Sequence, residues 1–409
     1  MRTSPVQKTS VDEHAALIRS LLVFPAESET VELADAVGRV TAENVLSPVD
    51  LPLFRNSQMD GYAVLAADLH RVPVTLPVAG IIPAQAATPP HLLPGTAVKI
   101  MTGAVVPEGA DAVVPVEDTE LVGATTFASE SVRIGTARKP GEYVRERGSD
   151  LRAGDELLPR GIRLSSRHLA VLAAAGLGSV GVRRRVRVAV ITTGAELVAA
   201  GAFETGTAPT LGQIFDANAV ALVAAVQQAG AVVAFQTRVT DDAAAMTAAL
   251  TDAAASADLI LTSGGISMGD FEVVREVLEP LGAAVTTIAM QPGGPQATGA
   301  FDGVPVISFP GNPVSTQLSF EIFVAPPLRS FSGLPPAERS TRVLAHDVTS
   351  VPGKRQFLRG RLRDDARVEA VSGPSSHLVA GLAASDLLID IPAETLRLKE
   401  GDPVSVVIL

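Results

Sequence analysis

The sequence predicts an α/β multidomain protein. A parallel-sheet α/β domain lies at its centre, with a β-rich domain inserted before it and a small β domain after it. Three observations carry this prediction. Between Arg185 and about Gly333, short apolar runs alternate with helical stretches, the pattern of a parallel sheet covered on both faces. From about 48 to 147 proline and glycine are frequent and the apolar runs are short, as in VPVTLPVAGII and DAVVPV. From about Pro335 to Leu409, runs such as TRVLAHDV, KRQFLRGRL and PVSVVIL turn β again. The expected divisions are 1–184, 185–333 and 334–409.

The elements follow in order. Val11 to Phe24 reads as an amphipathic helix with Ser10 as its cap. Val31 to Val45 reads as a second helix, broken at Gly38. Ser165 to Ala175 is helical, opened by Ser165 or Ser166 and ended by Gly176. RVAVITTG is an apolar strand, and Asp216 caps a helix running to Gln228. AVVAFQTRV is a strand, and Asp241-Asp242 opens an alanine-rich helix. DLILTSGG is a strand, FEVVREVL a helix and VPVISFPG a strand. Asn312-Pro313 then starts a long helix. In such sheets ligands bind beyond the carboxyl ends of the strands. That is where TTGAEL, TSGGISMGD and PGNPVS fall.

The composition excludes several classes. A chain of 409 residues, 47% hydrophobic and 19% charged, holds more than one buried core. Aromatics make up only 4%, so those cores rest on Ala, Val, Leu and Ile. With no cysteine there is no disulfide, thiolate metal site or cysteine nucleophile. The opening MRTSPVQKTSVDEH has no apolar core of the signal-peptide kind, and no apolar run is long enough to span a bilayer. A cytoplasmic address is expected. A net charge of −11 argues against nucleic acid as a partner. It leaves room for an anionic ligand held by backbone N–H groups.

Two kinds of motif carry chemistry. The first is LPLFRNSQMDGYAV, Leu51 to Val64, where Asn56, Ser57, Asp60 and Gly61 crowd around Tyr62. KIMTGAVVPEGADAVVPVED, Lys99 to Asp118, adds Thr102. The second kind is the glycine-rich turn after an apolar strand. In PGNPVS, Pro310 to Ser315, Asn312 suits an N-cap and Pro313 the first helical position, while Gly311 permits close backbone approach. In TSGGISMGD the paired Gly264 and Gly265 stand at a similar turn, and Thr192-Thr193-Gly194 makes a third. Three such turns in one sheet suit a phosphate- or pterin-sized anion. None has the spacing of a Walker loop or a dinucleotide fingerprint. Glu196, Asp216, Asp241 and Glu272 fall at strand ends or helix starts. There an acidic residue also serves as a cap or dipole partner. If they converge near phosphates, a bridging Mg²⁺ is expected.

Together these motifs resemble the MoeA/gephyrin E-domain family, the molybdopterin molybdenumtransferases, over nearly the whole chain. The resemblance implies an enzyme that takes adenylylated molybdopterin and molybdate. Such an enzyme cleaves the adenylate with Mg²⁺ and places molybdenum on the dithiolene. It implies a homodimer in which the MDGYA segment of one subunit completes the site of the other. A molybdopterin adenylyltransferase would stand upstream. By motif match it assigns Asp60, Thr102, Glu196 and Asp241 to catalysis. Ser57, Gly264, Gly265, Ser267, Pro310, Gly311, Asn312, Pro313, Arg359 and Ser376 fall to substrate binding. Asp216, Asp241 and Glu272 are its metal candidates. Arg359 and Ser376 are the weaker carry-overs, since an arginine on a β hairpin is usually exposed and solvated.

The chain departs from the family pattern at three places. Ala195 stands where members often have Asp. Gln291-Pro292-Gly293-Gly294-Pro295 replaces KPGKP, removing two lysines that would meet oxyanions. Glu272 replaces an aspartate. Actinobacterial gephyrin-like proteins resemble this chain in the altered turns. They imply an alternative reading as a dimeric scaffold that grips a peptide of the tubulin-like cell-division protein or of a membrane receptor.

Overall fold

The computed structural model describes residues 8–123, 130–201, 206, 208–266 and 272–409. The chain forms two compact units, Ser28–Val182 and Met1–Glu27 with Arg183–Leu409.

The Ser28–Val182 unit is built on a six-stranded sheet. Its strand order is Ala112–Pro115, Gly61–Val64, Ala97–Ile100, Val74–Ile82, Glu130–Ile134, Thr119–Gly123. The Gly61–Val64 strand is flanked on both sides and buried on both faces. Tyr62 and Val64 join one core and Ala63 the other. A Cβ at Gly61 would lie 2.1 Å from the Val114 carbonyl oxygen, an approach only glycine allows. The helix expected over Val31–Val45 is absent. Ser28–Glu32 is a strand paired with Ser179–Arg183, Leu33–Asp35 is a 3-10 turn, and Gly38 has φ 76°. Backbone partners distant in sequence win over local helix bonds: Gly38 N–H donates to Leu164 O at 2.8 Å and Thr41 N–H to Ile162 O at 3.0 Å. The Ser166–Ala174 helix forms as expected, with Ser165 as its cap and Gly176 at φ 80° after it.

In the other unit the Val11–Leu21 helix opens with a capping box, in which Ser10 and Glu13 each receive the other's backbone N–H. Its Val11 and Ile18 pack in one core with Val188, Leu222 and Phe323. A six-stranded sheet runs in the order Val232–Val239, Arg187–Thr193, Leu259–Ser263, Val304–Phe309, Pro295–Phe301, Ala284–Thr287. Along Arg187–Thr193, Val188 and Val190 face one helix-covered core and Ala189 and Ile191 the other. The first four strands are parallel, and Pro295–Phe301 runs antiparallel to both of its neighbours, so the sheet is mixed. Asp302-Gly303 makes the reversal, a two-residue turn with positive φ at both residues between Phe301 and Val304. A C-terminal sheet takes Met290–Gln291 as its edge, followed by Arg355–Leu362, Leu387–Ile391, Pro403–Ile408 and Arg339–Val343. Among the described residues no helix is long and apolar enough to cross a membrane.

His14, on the opening helix, is buried edge-on against Phe323, with ring centroids 4.7 Å apart and neither nitrogen hydrogen-bonded. Burial pushes its imidazole down to about 4. The unfolded chain, titrating near 6.5, therefore binds the extra proton first as pH falls. Its stabilising contribution is complete above about 6.5 and is lost progressively toward 4, about 3 kcal/mol in all. Denaturant titrations across this window should show that loss, and His14→Leu should flatten it. An equal slope in both proteins would exclude His14 as the cause.

Candidate active site

Three turns at the carboxyl ends of adjacent parallel strands meet in the 183–409 unit. Gly264 N–H donates to Phe309 O at 3.1 Å, and a Cβ at Gly311 would lie 3.5 Å from Gly264 Cα. A Cβ at Gly264 would lie 2.6 Å from Thr193 O. The glycines therefore let three backbones close on one another. A buried polar network ties the turns together. Asn218 Nδ2 donates to Ser263 Oγ at 2.8 Å and to Gly311 O at 2.7 Å, and Thr316 Oγ1 donates to Pro310 O at 2.6 Å. Above the turns lies a cavity of about 870 Å³. Gly264, Gly265, Pro310, Gly311, Asn312 and Pro313 all line it. The backbone N–H groups of Gly265, Gly311 and Asn312 make no hydrogen bond among the described residues. They are donors for an anion.

Four carboxylates also line the cavity, in two different states. Asp216 is buried and spent within the fold, accepting from Thr192 Oγ1 at 2.6 Å and from Ala219 N–H at 3.0 Å. It is the helix cap read from the sequence, and each of its oxygens already accepts a hydrogen bond. Asp241 accepts from Thr193 Oγ1 and Ala195 N–H, each at 3.1 Å, and so clamps the TTGAEL turn. Its neighbour Asp242 is the actual cap of the next helix. Glu196 folds over Gly194, whose added Cβ would meet its carboxylate at 2.7 Å. Glu272 stands at a helix start without capping it. Asp216, Asp241 and Glu272 do not converge: among the described residues no three acidic or histidine side chains gather to hold a metal ion. The donor set still fits Mg²⁺ held by one or two carboxylates with phosphate oxygens and water completing its shell.

Asn312 opens the helix in extended conformation with Pro313 after it, but its side chain makes no cap hydrogen bond. The loop from Pro374 to His377 closes over this end, where Ser376 O accepts from Val314 N–H at 3.1 Å. Ser376 thus lines the cavity. Arg359 does not, and it is not exposed: its side chain is 1% accessible. Its guanidinium donates to Gly373 O, to Ser375 O at 3.2 Å and to Ser372 Oγ at 3.4 Å. Burial lowers its pKa, and Nη1 has no partner among the described residues. Arg359 holds the 372–376 loop in place, and so it shapes the cavity from behind. Ser267 lies outside the described residues.

The Ser28–Val182 unit brings together two residues singled out from the sequence. Asp60 Oδ1 accepts from Thr102 N–H at 2.7 Å and Thr102 Oγ1 at 2.8 Å, and both residues are exposed. Those two bonds hold the Asp60 carboxyl below the usual carboxylate range. Ser57, by contrast, is buried: its hydroxyl donates to Met59 O at 2.6 Å and accepts from Met59 N–H at 3.3 Å. It fixes the turn rather than meeting a ligand.

Sequence reasoning passed over Asn218, Lys354 and His377, all of which line the cavity. Asn218 sits two residues after the Asp216 cap, where a polar side chain is unremarkable by pattern. Its Oδ1 is buried with no partner among the described residues. Lys354 precedes a β strand far along the chain, and only the sheet pairing of Met290–Gln291 with Arg355–Gln356 brings it near.

Comparison with known proteins places this geometry. Residues 9–176 match the MoeA N-terminal region (domain I and II), and residues 189–330 match a probable molybdopterin binding domain. Residues 341–409 match the MoeA C-terminal region (domain IV). The chain is 41% identical to molybdopterin molybdenumtransferase 2 of Mycobacterium tuberculosis, covering 97% of this chain and 98% of that one. It is 36% identical to the molybdopterin molybdenumtransferase of Nostoc, covering 93% and 88%. A crystal structure of the molybdopterin biosynthesis MoeA protein from Pyrococcus horikoshii superposes with TM-score 0.82 at 32% identity, covering 98% and 99%.

Proposed function

The chain belongs to the MoeA family of molybdopterin molybdenumtransferases, and from that premise we propose that it inserts molybdenum from molybdate into adenylylated molybdopterin. The observation that carries the proposal is the glycine-built cavity, where two of the three strand-end turns offer N–H groups with no partner among the described residues, beside a space large enough for a pterin nucleotide. Gly265, Gly311 and Asn312 bind phosphate or oxyanion oxygens. Asp241 and Glu272 are the protein carboxylates that would hold Mg²⁺, which when bound neutralises phosphate charge during cleavage of the adenylate. Asp241 also fixes the Thr193–Ala195 turn, so its carboxylate is oriented before substrate arrives. Asp60, with its charge held by Thr102, is the acidic group we assign to the composite site of a homodimer, contributed by the opposite subunit.

A molybdopterin adenylyltransferase supplies the substrate in this reading, and the protein works in the cytoplasm. The scaffold alternative rests on the missing lysines. Relatives that are 31–41% identical over nearly the full chain are named as transferases, which favours the enzyme. Incubating the purified protein with adenylylated molybdopterin and Mg²⁺ should release AMP when molybdate is added. AMP released at one rate with and without molybdate would argue against coupling of cleavage to insertion.

A further inference from the structure

We propose that Lys354 binds the tetrahedral oxyanion substrate, and that the affinity of this chain for it depends on that lysine. The inference rests on the molybdenum-insertion reading above and deepens it. Among the described residues, the cavity lining sets four carboxylates against one lysine, one histidine and no arginine. A dianion entering such a space is repelled unless a cation faces it, and the positions at Gln291 and Gly294 are neutral. Lys354 is half-buried, lines the cavity and makes no hydrogen bond or ion pair among the described residues.

The sheet register places it. Arg355 N–H donates to Ala289 O at 2.8 Å, and Gln291 pairs in parallel with Gln356. Lys354 is the bend residue immediately before the Arg355–Leu362 strand, and it lines the same cavity wall as Gln291. The Gln356 side chain meets Gln291, its Nε2 donating to Gln291 Oε1 at 2.8 Å. Lys354 therefore rises beside the Gln291–Pro295 segment of the cavity wall. Neighbouring cations are committed elsewhere. Arg355 is bound to Asp390 at 2.7 Å and Asp12 at 2.9 Å, and Arg359 is buried against loop carbonyls. A lysine ammonium brings three donors on a mobile stem, suited to the oxygens of a tetrahedral anion.

The test is equilibrium dialysis of molybdate against the full-length protein, with molybdenum counted by mass spectrometry. AMP binding and melting temperature are measured in parallel. Lys354→Gln should bind molybdate about ten- to a hundredfold more weakly, the loss of one charge-assisted hydrogen bond. Its AMP affinity and melting temperature should stay near wild type, and Lys354→Arg should retain most molybdate affinity. Unchanged molybdate binding in Lys354→Gln would overturn the assignment while leaving the insertion reading intact. Loss of AMP binding alone would overturn it too, placing the lysine on a phosphate. A wild-type protein that binds no molybdate would overturn both.

Discussion

Asp60→Asn should fold and assemble normally yet insert molybdenum about a hundredfold more slowly or worse. Asparagine keeps an oxygen where Oδ1 accepts from Thr102 N–H and Oγ1, so the turn survives. What disappears is the negative charge, which those two donors hold on the carboxylate down to low pH. A charged group acting on the reaction is worth about 3 kcal/mol, roughly a hundredfold in rate. The assay of mixed dimers adds a second readout. When Asp60→Asn and Asp241→Asn chains are co-expressed, half the dimers carry both, and each of these has one intact composite site. About a quarter of wild-type activity should return in such a symmetric dimer. Full activity in Asp60→Asn would make the residue structural. No recovery on mixing would place Asp60 and the cavity of one subunit in the same site.

Gly264→Ala should be the most damaging single change in the cavity. The residue has φ 98°, and its new Cβ would press to 2.6 Å from Thr193 O, a backbone atom that cannot swing away. Left-handed strain costs roughly 1 kcal/mol and overpacking about 1–3 more. The three turns would separate, and both AMP binding and insertion should fall with the melting temperature. Gly401→Ala is the matched control, with φ 89° and nothing within 4 Å of the added Cβ. It should show only the backbone cost and full activity. Equal behaviour of the two variants would mean that the close approach of the turns at Gly264 carries no weight.

Local signals made much of this architecture legible. Apolar strands ending in glycine located the cavity, and Asp216, Ser10 and Ser165 were readable as caps because capping is a matter of three or four neighbouring residues. The Val31–Val45 segment was not readable, since its backbone groups pair with residues far along the chain. The antiparallel strands Pro295–Phe301 and Ala284–Thr287 were missed, although Asp302-Gly303 between apolar runs is a hairpin signal. At the site, the motif carrying Asp60 and the one carrying Thr102 were both visible, but their mutual hydrogen bonds come from strand pairing. Arg359 was misjudged as exposed because burial of a charged side chain on a hairpin depends on a loop that sequence alone does not fold. Lys354 carries no motif at all, and only the register of two strands from different parts of the chain brings it to the cavity wall.

Molybdenum transfer itself gives the most direct test. Purified protein is incubated with adenylylated molybdopterin, molybdate and Mg²⁺, and the product is tested for its power to activate a molybdenum-free apoenzyme. Activation should track AMP release and be lost together with it in Asp60→Asn. A well-folded dimer that yields neither AMP nor active cofactor at any molybdate concentration would contradict molybdenum insertion as the activity.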